Sequence, residues 1–225
     1  DNSNNNGLDK AKTDAKDKIS KLKNLSEQDK QKYQDEVGNA DSLDKVAEIL
    51  NKAEFDDAKA AAKKKIADLK QNGDLTQDEA NDLSGRIDSA KDLREVEGIL
   101  EEAELKKAKK DAKSEVDKLT NLNKAQKDAL KAEIDDIETD PTNENMKTIE
   151  KVKTAITAVV AKAKELDGKM KSLKDLVTLV NGQKSTLTAK PDYKDNKKTA
   201  FDSALANAST LVDATKGMNA DVTKV

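Results

Sequence analysis

Small and branched apolar residues recur at spacings of three and four from Leu8 onward, and the recurrence is itself repeated along the chain. The stretch LDKAKTDAKDKISKL starting at Leu8 has counterparts in FDDAKAAAKKKIADL from Phe55 and LKKAKKDAKSEVDKL from Leu105. In the first copy Leu8, Ala11, Ala15, Ile19 and Leu22 hold the apolar positions; Phe55, Ala58, Ala62, Ile66 and Leu69 hold them in the second, and Leu105, Ala108, Ala112, Val116 and Leu119 in the third. That spacing places each set on one face of a helix, with Lys and Asp on the solvated remainder. A break follows in each copy, then a capping residue: Ser26, Thr76 or Asn123. Thr76 with Glu79 forms the pattern of a capping box. A second helix is predicted to bury Tyr33, Val37 and Ala40 in copy one, Leu83, Ile87 and Ala90 in copy two, and Leu130, Ile134 and Ile137 in copy three. A third helix, starting near Ser42 or Asp92, is expected to bury Leu43, Val46, Ile49 and Leu50, or Leu93, Val96, Ile99 and Leu100. In the third copy the turn is longer, with Asp140-Pro141, and the helix is expected to restart near Asn143 with Met146, Ile149 and Val152.

The repeat period is roughly 50 residues, that of a small helical unit. Neither junction, NKAEFDDAK nor EEAELKKAK, contains Gly or Pro, and both are rich in helix formers. The third helix of one unit should therefore run straight into the first helix of the next, over about 28 residues and roughly 42 Å. The fold class expected is all-α: tandem three-helix bundles joined by continuous shared helices into an elongated, monomeric rod. The modules are placed at 8–54, 55–104 and 105–165, with a fourth helical unit at 166–225.

Residues 1–7 are polar and Asn-rich and read as a disordered linker. Their likeness to a calcium loop fails, because the glycine falls at the seventh place and Lys12 stands where a bidentate Glu is needed. In the last unit, Met170, Leu173, Leu176, Val177, Val180 and Leu187 mark one helix and Ala200, Phe201, Ala204, Leu205, Ala208, Leu211 and Val212 another. A turn at Ala189–Tyr193 divides them, Gly217 is expected to stop the second, and a third helix near Asn219 is cut short at Val225. Gly168 and Gly182 fall within the helical pattern and suggest a bend or a close helix approach.

Composition narrows the function. Of 225 residues 39% are charged and 2% aromatic, so the cores must be small and aliphatic. Lys and Arg number 42 against 45 Asp and Glu, a balance that argues against nucleic-acid binding and against a basic membrane-surface helix. No apolar run approaches the roughly 20 residues that span a bilayer. The absence of Cys and His removes thiolate sites, the commonest metal ligand and the commonest general base. No cofactor, metal or catalytic residue is expected. The pairs Asp56-Asp57, Glu101-Glu102 and Asp135-Asp136 sit beside Lys on open helix faces or ends, not in an enclosure that would shift a pKa. Lys63-Lys64-Lys65 has acidic neighbours, and Tyr193 and Phe201 sit at core spacing. The chain does not start with Met and reads as a fragment of something longer.

The LxxAKxxAxxxI face, the Leu-Ser/Thr turn and the LxxVxxIL third helix resemble GA modules, three-helix units named after albumin-binding domains of Gram-positive surface proteins. Tyr193 followed by AFDSALANASTLVDAT resembles a FIVAR module. Together they are similar to giant extracellular-matrix-binding surface proteins of Gram-positive bacteria. That resemblance implies a cell-surface or cell-wall filament acting as a spacer, with a host matrix or plasma protein as partner and fibronectin favoured over albumin. Tight albumin binding is not expected, since the second helices open with charge and amide groups and Tyr33 lies on the core stripe. Two alternatives stand beside it: a dedicated plasma-protein-binding set, and an intracellular helical scaffold. The ligand-binding residues are left unassigned.

Overall fold

The computed structural model describes residues 2–194 and 196–225, and among these it contains eight α-helices, one 3-10 turn and no strand. Two compact units divide the chain, residues 1–107 and 108–225.

The first unit holds α1 (Asn2–Ser20), α2 (Glu27–Gly38), α3 (Leu43–Gln71), α4 (Gln77–Ser89) and the start of α5 (Leu93–Lys118). Module one gathers Ala15, Ile19, Tyr33, Val37, Ala40, Val46, Ile49 and Ala53 into one core. Module two does the same with Ala62, Ile66, Leu75, Leu83, Ile87, Val96, Ile99 and Ala103. Ile19, Ile66, Leu83 and Ile87 are fully buried, each worth about 1.5–3 kcal/mol relative to an exposed position. The predicted junction is present: α3 is one 29-residue helix whose first half closes module one and whose second half opens module two.

The helix starts follow the caps read from sequence. Ser26 accepts from the Asp29 amide and Ser42 from the Lys45 amide, and Thr76 with Glu79 forms a complete capping box. Asp92 accepts from the Glu95 amide at 2.9 Å. Helix α3 ends in a Schellman motif: Gly73 takes φ 79°, its N–H donates to the Lys70 carbonyl at 2.9 Å, and Asp74 N–H reaches the Leu69 carbonyl at 2.8 Å.

Two expectations fail here. Residues 2–7 are helical, the first turns of α1, rather than a linker; Asp1 lies outside the described residues. Nothing in that segment forbids helix, and the packed stripe behind it supplies the nucleus from which helix propagates at little cost per residue. Leu43 and Leu93 are exposed, at 57% and 52%. Each is the first residue of its helix, where the chain has only just turned from the preceding corner and the helix face has not yet met its neighbours.

The second unit holds the end of α5, α6 (Lys124–Asp135), α7 (Ile149–Thr188), the 3-10 turn Pro191–Lys194 and α8 (Asn196–Val212). Both α6 and α8 pack against α7, a 40-residue helix whose buried stripe runs Val152, Ile156, Val159, Ala163, Leu166, Met170 and Val177. The module limit placed at 165/166 falls inside this helix. The restart expected near Asn143 comes later, at Ile149 behind the cap Thr148. Pro141 and the Asp140 carboxylate, which accepts from the Thr142 amide at 2.9 Å and its hydroxyl at 2.6 Å, hold the intervening chain in turns. The Asp140 amide then bonds the Met146 carbonyl at 2.9 Å, so Met146 stays outside the helix.

Gly168 and Gly182 lie within α7, and a Cβ at either would meet nothing within 4 Å, so close helix approach is not their role. The stop of α8 is not Gly217. It comes at Val212, where the Asp213 carboxylate captures the amides of Thr215 and Lys216 at 2.9 and 2.8 Å. No helix forms near Asn219; residues 213–225 are turns and irregular chain. In a second such turn the Asp221 carboxylate accepts from the Thr223 amide at 3.0 Å and its hydroxyl at 2.6 Å.

Candidate binding surfaces

The second helix of each module is short and amphipathic, and its outer side is set by what the inner side must do. Tyr33 is buried on α2, and its hydroxyl donates to the Asp56 carboxylate. Burial first, and the hydrogen bond to Asp56 second, push its pKa well above that of a free tyrosine. The outer positions carry Glu27, Gln31 and Asp35 on α2 and Gln77, Asp78, Asn81 and Asp82 on α4. Many are tied to each other, as Gln31 to Asp35 and Gln77 to Asn81, both at 2.8 Å. No aromatic side chain is offered by α2, α4 or α6 to solvent.

The lysines of the repeated LxxAK face are structural as well as solvated. Lys12 donates to the Gly38 carbonyl at 2.9 Å, Lys59 to the Asp88 carbonyl at 3.0 Å and Lys109 to the Asp135 carbonyl at 2.8 Å. Each closes the C-terminal end of its module's second helix, where a cation meets the negative end of the helix dipole. The sequence signal was the recurrence of Lys at one place in all three copies.

The acidic pairs prove equally structural. Asp57 accepts from the amides of Asn24 and Leu25 at 2.7 and 3.1 Å and from the Asn24 side chain at 3.1 Å. Asp167 repeats this on Asn121, at 2.7 Å to its amide and 3.0 Å to its side chain. At the matching place in module two Asp74 faces Lys107 at 3.7 Å, with the acid now on the loop and its partner on the helix. The first loop of every module is thus closed by a side chain from the helix that enters the next stretch of chain. Glu102 pairs with Arg86 at 2.8 Å, Asp135 with Lys113 at 2.7 Å, and Asp136 caps α6. From the lysine run, Lys63 reaches Asp88 at 2.9 Å.

What remains open to a partner is modest. A shallow groove of about 400 Å³ lies where α2 ends and α3 begins, lined by Glu36, Asn39, Ala40, Lys45, Ile49 and Lys52 among others. Leu43 stands exposed at that corner, and Leu93 at the same corner of module two. In the second unit Tyr193 and Phe201 are half-buried and pack edge to face at 5.7 Å, and the Tyr193 hydroxyl donates to Asp202 at 2.6 Å. Among the described residues there is no cluster of acidic side chains fit to hold a metal ion, and no helix is long and apolar enough to cross a membrane.

Three-helix bundles in tandem, capped by side chains and displaying polar outer faces, define a repeat-built binding module. The GA module family model matches residues 5–55, 53–104 and 102–141, together more than half of the chain. The chain therefore belongs to the GA-module family. The overlaps between matches fall in α3 and α5, the helices that serve two modules. A search of curated proteins gave no match.

Proposed function

We propose that this chain is a non-catalytic spacer and binding segment of a bacterial cell-surface filament, in which the GA modules make weak, repeated contacts with a host plasma protein. The observation that carries this reading is the tandem GA array itself, together with an exposed leucine at one shared corner of modules one and two. An anchor that loses water on contact is what a binding hot spot needs, and Leu43 and Leu93 supply one small anchor each. Polar second helices and a buried Tyr33 argue for low affinity per module, so strength would come from linking several sites. The α7–α8 hairpin is read as a FIVAR-like unit on its Tyr193 and Phe201 pattern.

Titration calorimetry with serum albumin tests this, with fibronectin, favoured by the resemblance to giant matrix-binding proteins, as a parallel arm. Dissociation constants weaker than about 1 μM, near −8 kcal/mol, are expected. Leu43→Asp with Leu93→Asp should abolish the contact. A tighter constant with albumin, lost in that double variant, would establish a dedicated albumin-type module set instead; absence of any binding would leave spacing alone. For the spacer, small-angle scattering is decisive: a radius of gyration near 17 Å, that of a compact chain of this length, would count against it.

A further inference from the structure

Among the second helices, only α6 begins with two fully buried side-chain amides, Asn123 at 1% exposure and Gln126 at 0%. The two form a reciprocal capping box through their oxygens: Asn123 Oδ1 accepts from the Gln126 amide at 2.8 Å, and Gln126 Oε1 from the Asn123 amide at 3.0 Å. Using the oxygens inward leaves both NH2 groups to donate elsewhere. Asn123 Nδ2 donates to the main-chain carbonyls of Leu211 at 3.1 Å and Met218 at 2.9 Å, and Gln126 Nε2 to that of Ala220 at 2.9 Å. The Lys124 amide adds the Ala214 carbonyl at 2.7 Å. All four acceptors are main-chain carbonyls, so the contact reads backbone rather than side chains.

Gly217 leaves no room for a side chain in the seated segment. A Cβ there would stand 2.4 Å from Asn123 Nδ2 and 2.4 Å from the Leu211 carbonyl oxygen. Modules one and two carry Ser26 with Asp29, and Thr76 with Glu79, at the matching places. Thr76 with Glu79 makes the same reciprocal box, while Ser26 accepts from the Asp29 amide without a return bond to its own; neither pair holds an NH2 donor, and the start of each helix is open.

We propose that Asn123 and Gln126 form a peptide-backbone-binding site whose ligand is the glycine-centred segment 211–220 of this same chain, held as an exchangeable strap that fastens the end of α8 to the start of α6. The amide pair is what distinguishes the receiving module from the two that lack a strap.

Two variants of the full chain test this. Asn123→Thr with Gln126→Glu installs the Thr–Glu box of module two, which preserves the cap and removes both side-chain donors. Gly217→Val keeps the donors and blocks the seat. Hydrogen exchange should show protection at residues 213–220 falling by about tenfold or more in both, with α6 and α7 protection retained. A labelled synthetic peptide of residues 209–225 should then bind the Gly217→Val chain saturably. It should bind the wild-type chain far more weakly, since the tethered strap competes at high effective concentration. It should not bind the Thr–Glu chain. Unchanged strap protection in the Thr–Glu chain, or equal peptide binding to both variants, or no peptide binding to a Gly217→Val chain with its strap released, would overturn the proposal. Should Gly217→Val lose its helical dichroism, strap protection in the Thr–Glu chain decides alone.

Discussion

The two units close the same kind of module in different ways. In the first, each second helix starts in the open behind a Ser or Thr cap, and its surroundings are completed by the helix that follows in sequence. In the second, the start of α6 lies under chain that arrives from nearly ninety residues further on, through Asn123 and Leu211. A cap satisfied only within its own turn leaves the module self-sufficient at that end. A cap whose spare donors are buried demands a partner, because an unsatisfied buried amide costs about 1–3 kcal/mol. Within the first unit there is a further contrast: module one locks its loop with Asn24 on Asp57, module two with a Schellman turn at Gly73 and the Asp74–Lys107 pair.

The strongest way to break the comparison is at a shared helix. Glu54→Pro removes an interior hydrogen bond of α3 and clashes with the preceding turn, at a cost of about 3 kcal/mol or more. Asp56 and Asp57 follow directly, and both serve module one, through Tyr33 and Asn24. Module one should therefore lose exchange protection before module two; equal loss in both would count against the one-sided clamp. Asp57→Ala and Asp167→Ala come next, each expected to lower stability in urea by about 1–2 kcal/mol, as loss of charged hydrogen bonds does. Lys107→Ala should cost less, since that pair is wider and partly solvated. A cost as large as that of Asp57→Ala would show that the three clamps are equivalent.

Tyr33→Phe should cost about 1 kcal/mol at neutral pH, the worth of one hydrogen bond. The sign of its pH effect follows from the raised pKa: the neutral hydroxyl is favoured by folding, so this stability is complete below the ordinary tyrosine value near 10 and is lost as pH rises through the higher folded value. Module one should weaken in alkali more than module two, which carries Leu83 at that place, and Tyr33→Phe should remove the difference; alkaline melts with exchange readout check it. Gly73→Ala, forcing a side chain into positive φ, should cost about 1 kcal/mol and leave module one unaffected.

The smallest effect is acidic. Glu79, held down chiefly by the Thr76 amide, Asp140 and Asp221, held down chiefly by the Thr142 and Thr223 hydroxyls, and Asp213, held down chiefly by the Lys216 amide and then by Thr215, have folded pKa values lowered from the ordinary carboxylate value. Their contribution is full above about pH 5 and is lost as pH falls through the lowered values. With no His in the chain, the thermal midpoint should stay flat from about pH 5.5 to 8 and fall below about 5.

Much of this was legible in the residues. The helical faces, the caps Ser26, Thr76 and Asn123 and the continuous junction at Ala53–Ala58 all follow from local rules: period, propensity and capping chemistry act within a few residues of one another. Local rules erred at edges. They buried Leu43 and Leu93 by pattern, although a helix's first residue has few neighbours, and they left residues 2–7 as linker, although helix extends from a packed nucleus. Three features were decided only by tertiary structure: the pairing of Asn24 with Asp57, the bond from Tyr33 to Asp56, and the seating of Gly217 against Asn123. Asn, Asp and Gln are ordinary on an exposed helix or turn, and each acquires its role from a partner that folding brings beside it. Periodicity records which face is buried; it carries no mark of which distant carbonyl or carboxylate a buried polar group will find there.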